Sequence, residues 1–422
     1  MSAREMQTAL VPARVVRELR ELQELTGTSE GAQRVCWTET WARARAWMRD
    51  KLSALPVTVE VDEAGNQWAT LPGRSPHALL IGGHIDSVPN GGWLDGCLNL
   101  VAGLEVLRRI ASEGTPPVTV RLVDWADEEG ARFGRSLLGS SAFSGTLEVD
   151  EVRNLRDHDG ISLPDALVRY GVELDRMAQA NRQVEGAAAY LELHIEQGPV
   201  LEQLDLPLAV VLGTYGVERH AIHFRGQAAH AGSTPMHARR DAFSAAARLA
   251  LAARDHAMRA GAVATVGRVT VQPGIPTAIA GECEITLDQR HLDLAVLSQV
   301  LDEARQASAT IADEERVEVI WERIWRIDPL HFSQDLIELA DEAIRETAGS
   351  SHRMPSGPLH DAAEVARAGI PTVMLFVQSL RGLSHAKEED TKPEHIELAV
   401  QAFDRLGTKT MGWIGNREVD NA

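Results

Sequence analysis

The sequence predicts an α/β protein: a mostly parallel sheet flanked by helices, interrupted by an inserted ferredoxin-like α+β unit. Three observations carry this. Short apolar runs alternate with helical patterns early in the chain, and the same strand style returns at "PTVMLF" (Pro371–Phe376). Two of these runs, "HALLIGGHID" and "VTVRLVDWADEEG", end in glycines and acids, where the ligand-bearing carboxyl ends of parallel strands lie. Between Gly213 and Ile327 the rhythm changes to β-α-β-β-α-β. The 422 residues therefore divide into 1–212, 213–327 and 328–422, the outer segments forming one domain around the insert.

The elements follow in order. Val15, Val16, Leu19, Leu22 and Leu25 keep the three-and-four spacing of an amphipathic helix that Gly27 stops. A second helix spans Thr38 to Leu52. "LPVTVEVD" alternates as a strand from Leu55 to Asp62 and turns at Ala64-Gly65-Asn66. "HALLIGGHID" is a buried strand, Leu98–Ile110 a helix, and "VTVRLVDWADEE" a strand with Glu128 and Glu129 at its end. "YLELHIEQGP" alternates as a strand, with Glu192, His194 and Glu196 on one face. In the insert, "ERHAIHFRG", "AVATVGRVTVQ", "ECEITLD" and "RVEVIWERI" are strands. Arg239–Met258 and Leu294–Ile311 are helices.

Composition narrows the function. With 61 acidic against 42 basic side chains the net charge is −19, a surface that repels phosphate backbones and argues against nucleic acid. Three unpaired cysteines, Cys36, Cys97 and Cys283, make no disulfide framework and fit a reducing cytoplasm. Early charges, Arg4 and Glu5 among them, argue against a signal peptide. No window approaches the ~20 apolar residues that span a bilayer.

Metal-type side chains gather at the predicted strand ends. His84 and Asp86 share a strand face, so Asp86 can fix the His84 ring while its other nitrogen binds metal. Asp95, in "NGGWLDG", can point back at His84. One of Glu128 and Glu129 can bind metal while the other faces substrate as general base. His194 and His385 complete the set. Alone, each reads blandly: a turn-capping aspartate, a solvated acidic run, a loop histidine. Together, three histidines and two carboxylates suit two metal ions sharing a bridging carboxylate, and the nitrogen and oxygen donors favour Zn, Mn, Co or Ni.

The motifs "GGHIDSVPNGGWLDG", "DEEGARFG", "ELHIEQGPVLE", "HAGSTPMHARRDA", "DQRH" and "GLSH" resemble the hydantoinase/carbamoylase group of metal-dependent amidases, within the wider aminoacylase and di-zinc carboxypeptidase superfamily. The resemblance runs in order over most of the chain. It implies that His84 and His194 hold one ion, Glu129 and His385 the other, and that Asp95 bridges them. Glu128 would be the catalytic base and Asp86 the partner of His84. The insert would be a lid that also forms a homodimer, with His230 stabilising an oxyanion across it. Gln197, Arg219, Thr277 and Arg290 would contact substrate, the arginines receiving its carboxylate. A surface ion pair is the bland reading of Arg219 and Arg290. The implied reaction is cleavage of N-carbamoyl-L-amino acids to amino acid, carbon dioxide and ammonia. Its rivals are allantoate hydrolysis and N-acyl amino acid hydrolysis, and, in another class, a non-catalytic metal-binding protein.

The sequence departs from this pattern in places. Thr277 stands where the family usually has asparagine. Pro358 and Leu359 alter the run before His360. Asn99 replaces a common glycine, and Thr214 and Tyr215 replace small hinge residues. No proposed ligand or base is lost.

Overall fold

The computed structural model describes residues 10–421; Arg4 and Glu5 lie outside them. Eleven strands and seven long helices define the framework. The strands are β1 Thr58–Val61, β2 Gln67–Leu71, β3 Ser75–His84, β4 Val118–Trp125, β5 Ala187–Ile195, β6 Leu208–Thr214, β7 Gly216–Arg225, β8 Val263–Gln272, β9 Glu282–His291, β10 Glu318–Ile327 and β11 Thr372–Val377. The helices are α1 Pro12–Thr26, α2 Glu39–Leu52, α3 Cys97–Ser112, α4 Ala242–Ala260, α5 Leu294–Glu315, α6 Gln334–Ala348 and α7 Pro393–Asn421. The chain forms two compact units. One takes in the chain up to Leu212, Phe332–Met354 and the chain from His360; the other takes in Gly213–His331 and Pro355–Leu359.

In the first unit seven of these strands share one sheet in the order β6-β11-β5-β3-β4-β2-β1, and the short strands Leu330–His331 and His352–Ser356 also pair with β6. The four central strands, β11, β5, β3 and β4, are parallel. The outer pairings, β6 on β11, β2 on β4 and β1 on β2, are antiparallel. Central strands are buried on both faces, as parallel sheets require: Leu79, Leu80 and Ile81 are all inaccessible. Two expectations change here. The alternating stretch from Leu55 shortens to β1, whose four residues are all exposed, because it is an edge strand with no layer over it. The polar positions of β5 are not a solvated face: Glu192 and His194 are buried. Glu192 accepts the Tyr190 hydroxyl at 2.7 Å and the Ala362 amide at 3.0 Å.

Helix starts are written in the sequence. Thr38 accepts the Trp41 amide at the head of α2, and Pro12 opens α1. Helix α1 is docked by Arg14, whose guanidinium makes two bonds, at 2.7 and 2.8 Å, to the fully buried Glu105 of α3.

In the second unit the sheet order is β8-β9-β7-β10, antiparallel throughout. Asp241 and Asp293 cap α4 and α5, which pack on one another and on the sheet. Ile222, Phe224, Leu249, Ile285 and Leu287 form the core between them.

Candidate metal centre

The carboxyl ends of β3, β4 and β5 place the predicted residues in the first unit. Strand β3 ends on His84 itself, and β5 brings His194 to its next-to-last position. The pairing of β3 with β5 stops at Ile81 and Leu191, so the strands part before the histidines. Asn99, in the first turn of α3, fills the gap and accepts the Leu193 amide at 2.9 Å. This departure from the family pattern therefore supports the strand next to His194. Gly96 is obligatory here: its φ is +67°, and a Cβ would lie 2.2 Å from the His84 ring.

Strand β4 stops at Trp125, so Glu128 and Glu129 stand on the loop beyond it rather than at the strand end. Asp127 takes a left-handed conformation, which ends the strand pleat, and its carboxylate accepts the Trp37 indole N–H at 2.8 Å. Gln197 and His385 share that conformation, at φ of +57° and +56°. Backbone of this kind in non-glycine residues costs about 1–3 kcal/mol each and concentrates at functional sites.

Asp95 is the hub. Its Oδ1 lies 3.1 Å from His194 Nε2 and 3.8 Å from His84 Nε2, and its Oδ2 lies 3.3 Å from His385 Nε2. His385 Nε2 is 3.4 Å from Glu129 Oε2. Two sets of donors result, His84–Asp95–His194 and Asp95–Glu129–His385; within each, the donor atoms lie within 4.8 Å of one another. The residues present fit a pair of divalent ions. The His194 Nδ1 is engaged by the Ile195 carbonyl at 2.9 Å and the His84 Nδ1 by the Asp86 carbonyl at 3.2 Å. Each ring thereby turns its Nε2 toward carboxylate oxygens, the geometry of a ligand held by a backbone partner. Asp86 also accepts the Glu129 amide at 3.2 Å and stands 3.5 Å from His84 Nδ1. Glu128 belongs to neither set, and its Oε2 lies 3.6 Å from His84 Nε2.

The cluster is strongly coupled electrically. Burial, then the Asp361 and Glu129 charges, push the Glu128 carboxyl well above its usual range, against the pull of His84. Burial and Asp95 raise Glu129 to about 7. The Asp95 carboxyl is held well below its usual value, because His194 and His385 outweigh burial. Its hydrogen bond to Asp95 raises His385 to about 9.

Gln197 Nε2 donates to Asp95 Oδ2 at 3.0 Å and lies 2.9 Å from Ser384 Oγ. Ser384, Glu389 and His360 had no role assigned from the sequence. Glu389 is buried under the Asp95 loop, although it lies in the acidic run Glu388–Asp390, which reads as a solvated face. The His360 ring packs 4.3 Å from that of His194. The available signals were that Ser384 stands in "GLSH", that His360 stands in the "LHDA" run, and that Glu389 follows His385 closely in sequence.

The second unit carries the remaining candidates. Arg219 and Arg290 converge on Asp288, with Nε donating at 2.8 and 2.7 Å. They are ion-paired, as the bland reading held, but within a pocket of about 450 Å³ lined also by Tyr215, Thr265 and Thr286. Asp288 was legible as the residue two before Arg290 on one strand face. His230 is exposed; its Nδ1 accepts the Gly232 and Ser233 amides at 3.1 and 3.2 Å, which leaves the proton on Nε2. The Thr277 carbonyl accepts the Ala231 amide at 2.9 Å, tying its loop to that of His230.

No helix among the described residues is long and apolar enough to cross a membrane.

Comparison with known proteins shows the family. The model of peptidase family M20/M25/M40 matches residues 80–409. An N-carbamoyl-L-amino acid amidohydrolase of Geobacillus stearothermophilus is 37% identical over 397 residues, covering 92% of this chain and 96% of that protein. An allantoate amidohydrolase of Escherichia coli strain K12 is 32% identical over 378 residues, covering 88% and 91%. The crystal structure of a hydantoinase/carbamoylase family amidase from Burkholderia multivorans superposes with a TM-score of 0.86 at 32% identity, covering 95% of this chain and 98% of that one. The chain is therefore a hydrolytic enzyme acting on amides, and it belongs to peptidase family M20/M25/M40 alongside the hydantoinase/carbamoylase amidases.

Proposed function

We propose that this enzyme hydrolyses the ureido C–N bond of N-carbamoyl-L-amino acids, giving the amino acid, carbon dioxide and ammonia. The observation that carries the reading is the pair of donor sets meeting at Asp95 with Glu128 standing outside both. The name of the Geobacillus relative favours the carbamoyl substrate.

His84, Asp95 and His194 would hold one divalent ion, and Asp95, Glu129 and His385 the other; Zn, Mn, Co and Ni all suit these donors. When bound, the pair supplies Lewis-acid polarisation of the carbonyl and a water of lowered pKa. Glu128 takes the proton of the attacking water and carries it to the leaving nitrogen. His230, with Nε2–H free, donates to the developing oxyanion. Arg219 and Arg290, each paired with Asp288, would receive the substrate carboxylate by exchanging or sharing those donors, and Gln197 and Thr277 would contact substrate. Asp86 keeps the His84 ring oriented.

The second unit acts as lid and dimerisation domain. Strand β8 is an edge of its sheet, and Val263 and Val269 on it, with Leu251 and Met258 on α4, are exposed. An open edge beside apolar side chains favours pairing with a second copy.

Turnover decides the substrate. Metal-stripped protein is restored with Mn, Co, Ni or Zn and given N-carbamoyl-L-amino acids, allantoate and N-acyl amino acids in parallel. Turnover of carbamoyl substrates that vanishes in Glu128→Ala is expected. Preference for allantoate, the substrate in the name of the Escherichia relative, would replace the reading.

A further inference from the structure

Resting on the metal-centre reading above, we propose that Glu389 is a positioning residue that aims Asp95 at the ions and draws the Ser384 proton away from Asp95 Oδ2. Glu389 is 2% exposed. Its Oε1 accepts the amides of Leu94 and Asp95, both at 3.0 Å, and its Oε2 accepts the Ser384 hydroxyl at 3.0 Å. One carboxylate thus ties together two loops far apart in sequence, the loop carrying Asp95 and the loop carrying Ser384 and His385.

Proton counting gives the second part. Ser384 Oγ is also 3.1 Å from Asp95 Oδ2, but a hydroxyl has one proton. Gln197 Nε2 has two, and sits within reach of both Asp95 Oδ2 and Ser384 Oγ. With Gln197 donating to Ser384, the Ser384 proton turns to whichever carboxylate attracts it. Glu389 accepts it, so Asp95 Oδ2 is relieved of one donor that would compete with a cation. Packing at Gly92 reserves the place for this carboxylate: a Cβ there would lie 2.1 Å from Glu389 Oε1. Without Glu389, two amides at the hub loop lose their partner, and the Ser384 proton turns onto Asp95.

Cobalt titration of the full chain tests this. Wild-type protein, Glu389→Gln and Glu389→Ala are stripped of metal and titrated with Co²⁺, following heat release and visible absorption. The urea midpoint of each metal-free protein is measured alongside. Wild type should take up two equivalents. Glu389→Gln keeps an oxygen for the two amides but offers Ser384 an NH2 group. It should bind Co²⁺ about 10–100-fold more weakly, the usual cost of losing a ligand's supporting partner. Its cobalt spectrum should be altered and its metal-free midpoint unchanged. Glu389→Ala should lose more, and if it does not fold the glutamine variant carries the test. Wild-type affinity and spectrum in Glu389→Gln would overturn the proposal. So would a fall in metal-free stability with metal binding intact, which is what a purely structural anchor would give. Failure of wild type itself to bind Co²⁺ would instead overturn the metal-centre reading, and the proposal with it.

Discussion

Adjacent glutamates with different jobs should fail differently. Glu128→Gln and Glu129→Gln are both close to isosteric, so neither opens a cavity; each removes the charge and puts an NH2 group in place of one carboxylate oxygen. Glu129 Oε2 is one of three donors in its set, 3.4 Å from His385 Nε2. Its loss should weaken one ion by more than the roughly 10–100-fold that a mere supporting partner costs. Glu128 is in neither set, so Glu128→Gln should keep full metal content. Its loss should appear in turnover, by about 10²–10⁴-fold, the range for a positioned general base. That corresponds to about 2.7–5.5 kcal/mol of barrier at roughly 1.36 kcal/mol per decade. Elemental analysis after dialysis gives the metal count, and ammonia release gives the rate. Glu128 stands 3.6 Å from His84 Nε2, close enough to serve as a ligand if the loop shifts. Loss of metal in Glu128→Gln, or retention of more than a tenth of wild-type turnover, would refute the division of roles.

The remaining predictions concern other parts of the chain. A His230→Ala subunit mixed with a Glu128→Ala subunit should regain partial activity if His230 acts across a dimer; no recovery in confirmed mixed dimers would exclude action in trans. Arg45→Met should cost about 3–5 kcal/mol in urea denaturation at pH 8. It strips the ion pair, at 2.8 Å, from Asp124, a carboxyl that burial already pushes up to about 6. His220, 1% exposed in the second unit with Glu218, Arg305 and Arg323 about it, is lowered to about 4 by burial first and then by the two arginines. The unfolded chain takes up its proton near pH 6.5 and the folded one only near 4. Stability should therefore be complete above pH 6.5 and fall by up to roughly 3 kcal/mol as pH drops to 4. His220→Leu should remove that part of the acid sensitivity in pH-dependent unfolding; an unchanged profile would refute it.

Much of this was open to reading from sequence because the signals are local. Alternation and apolar runs report which residues can be buried in a strand, and apolar periodicity from Thr38 onward reports where a helix begins, whereas the helix read from Arg239 starts at Ala242 behind its Asp241 cap. The candidate metal-type residues stand out because each lies near a strand end or in a glycine-containing loop, and their order resembles a family pattern. Local signals did not reveal how β3 and β5 part above Ile81, which gives Asn99 its task. Nor did they separate β4 from the left-handed turn at Asp127 that carries Glu128 and Glu129.

The sequence by itself determined the fold class, the donor types and the chemistry they permit, because hydrophobic period and side-chain identity belong to the chain locally. Only the tertiary structure decided which carboxylates stand together in a donor set and which lie packed beside it. Asp95 lies 290 residues from His385 in sequence but its Oδ2 is 3.3 Å from that ring, and Glu389, placed in an ordinary acidic run, is buried beneath it. A charge's role depends on the distance and direction of its neighbours, and on how far burial has removed water from between them. Those are set by packing, which no short window of sequence contains.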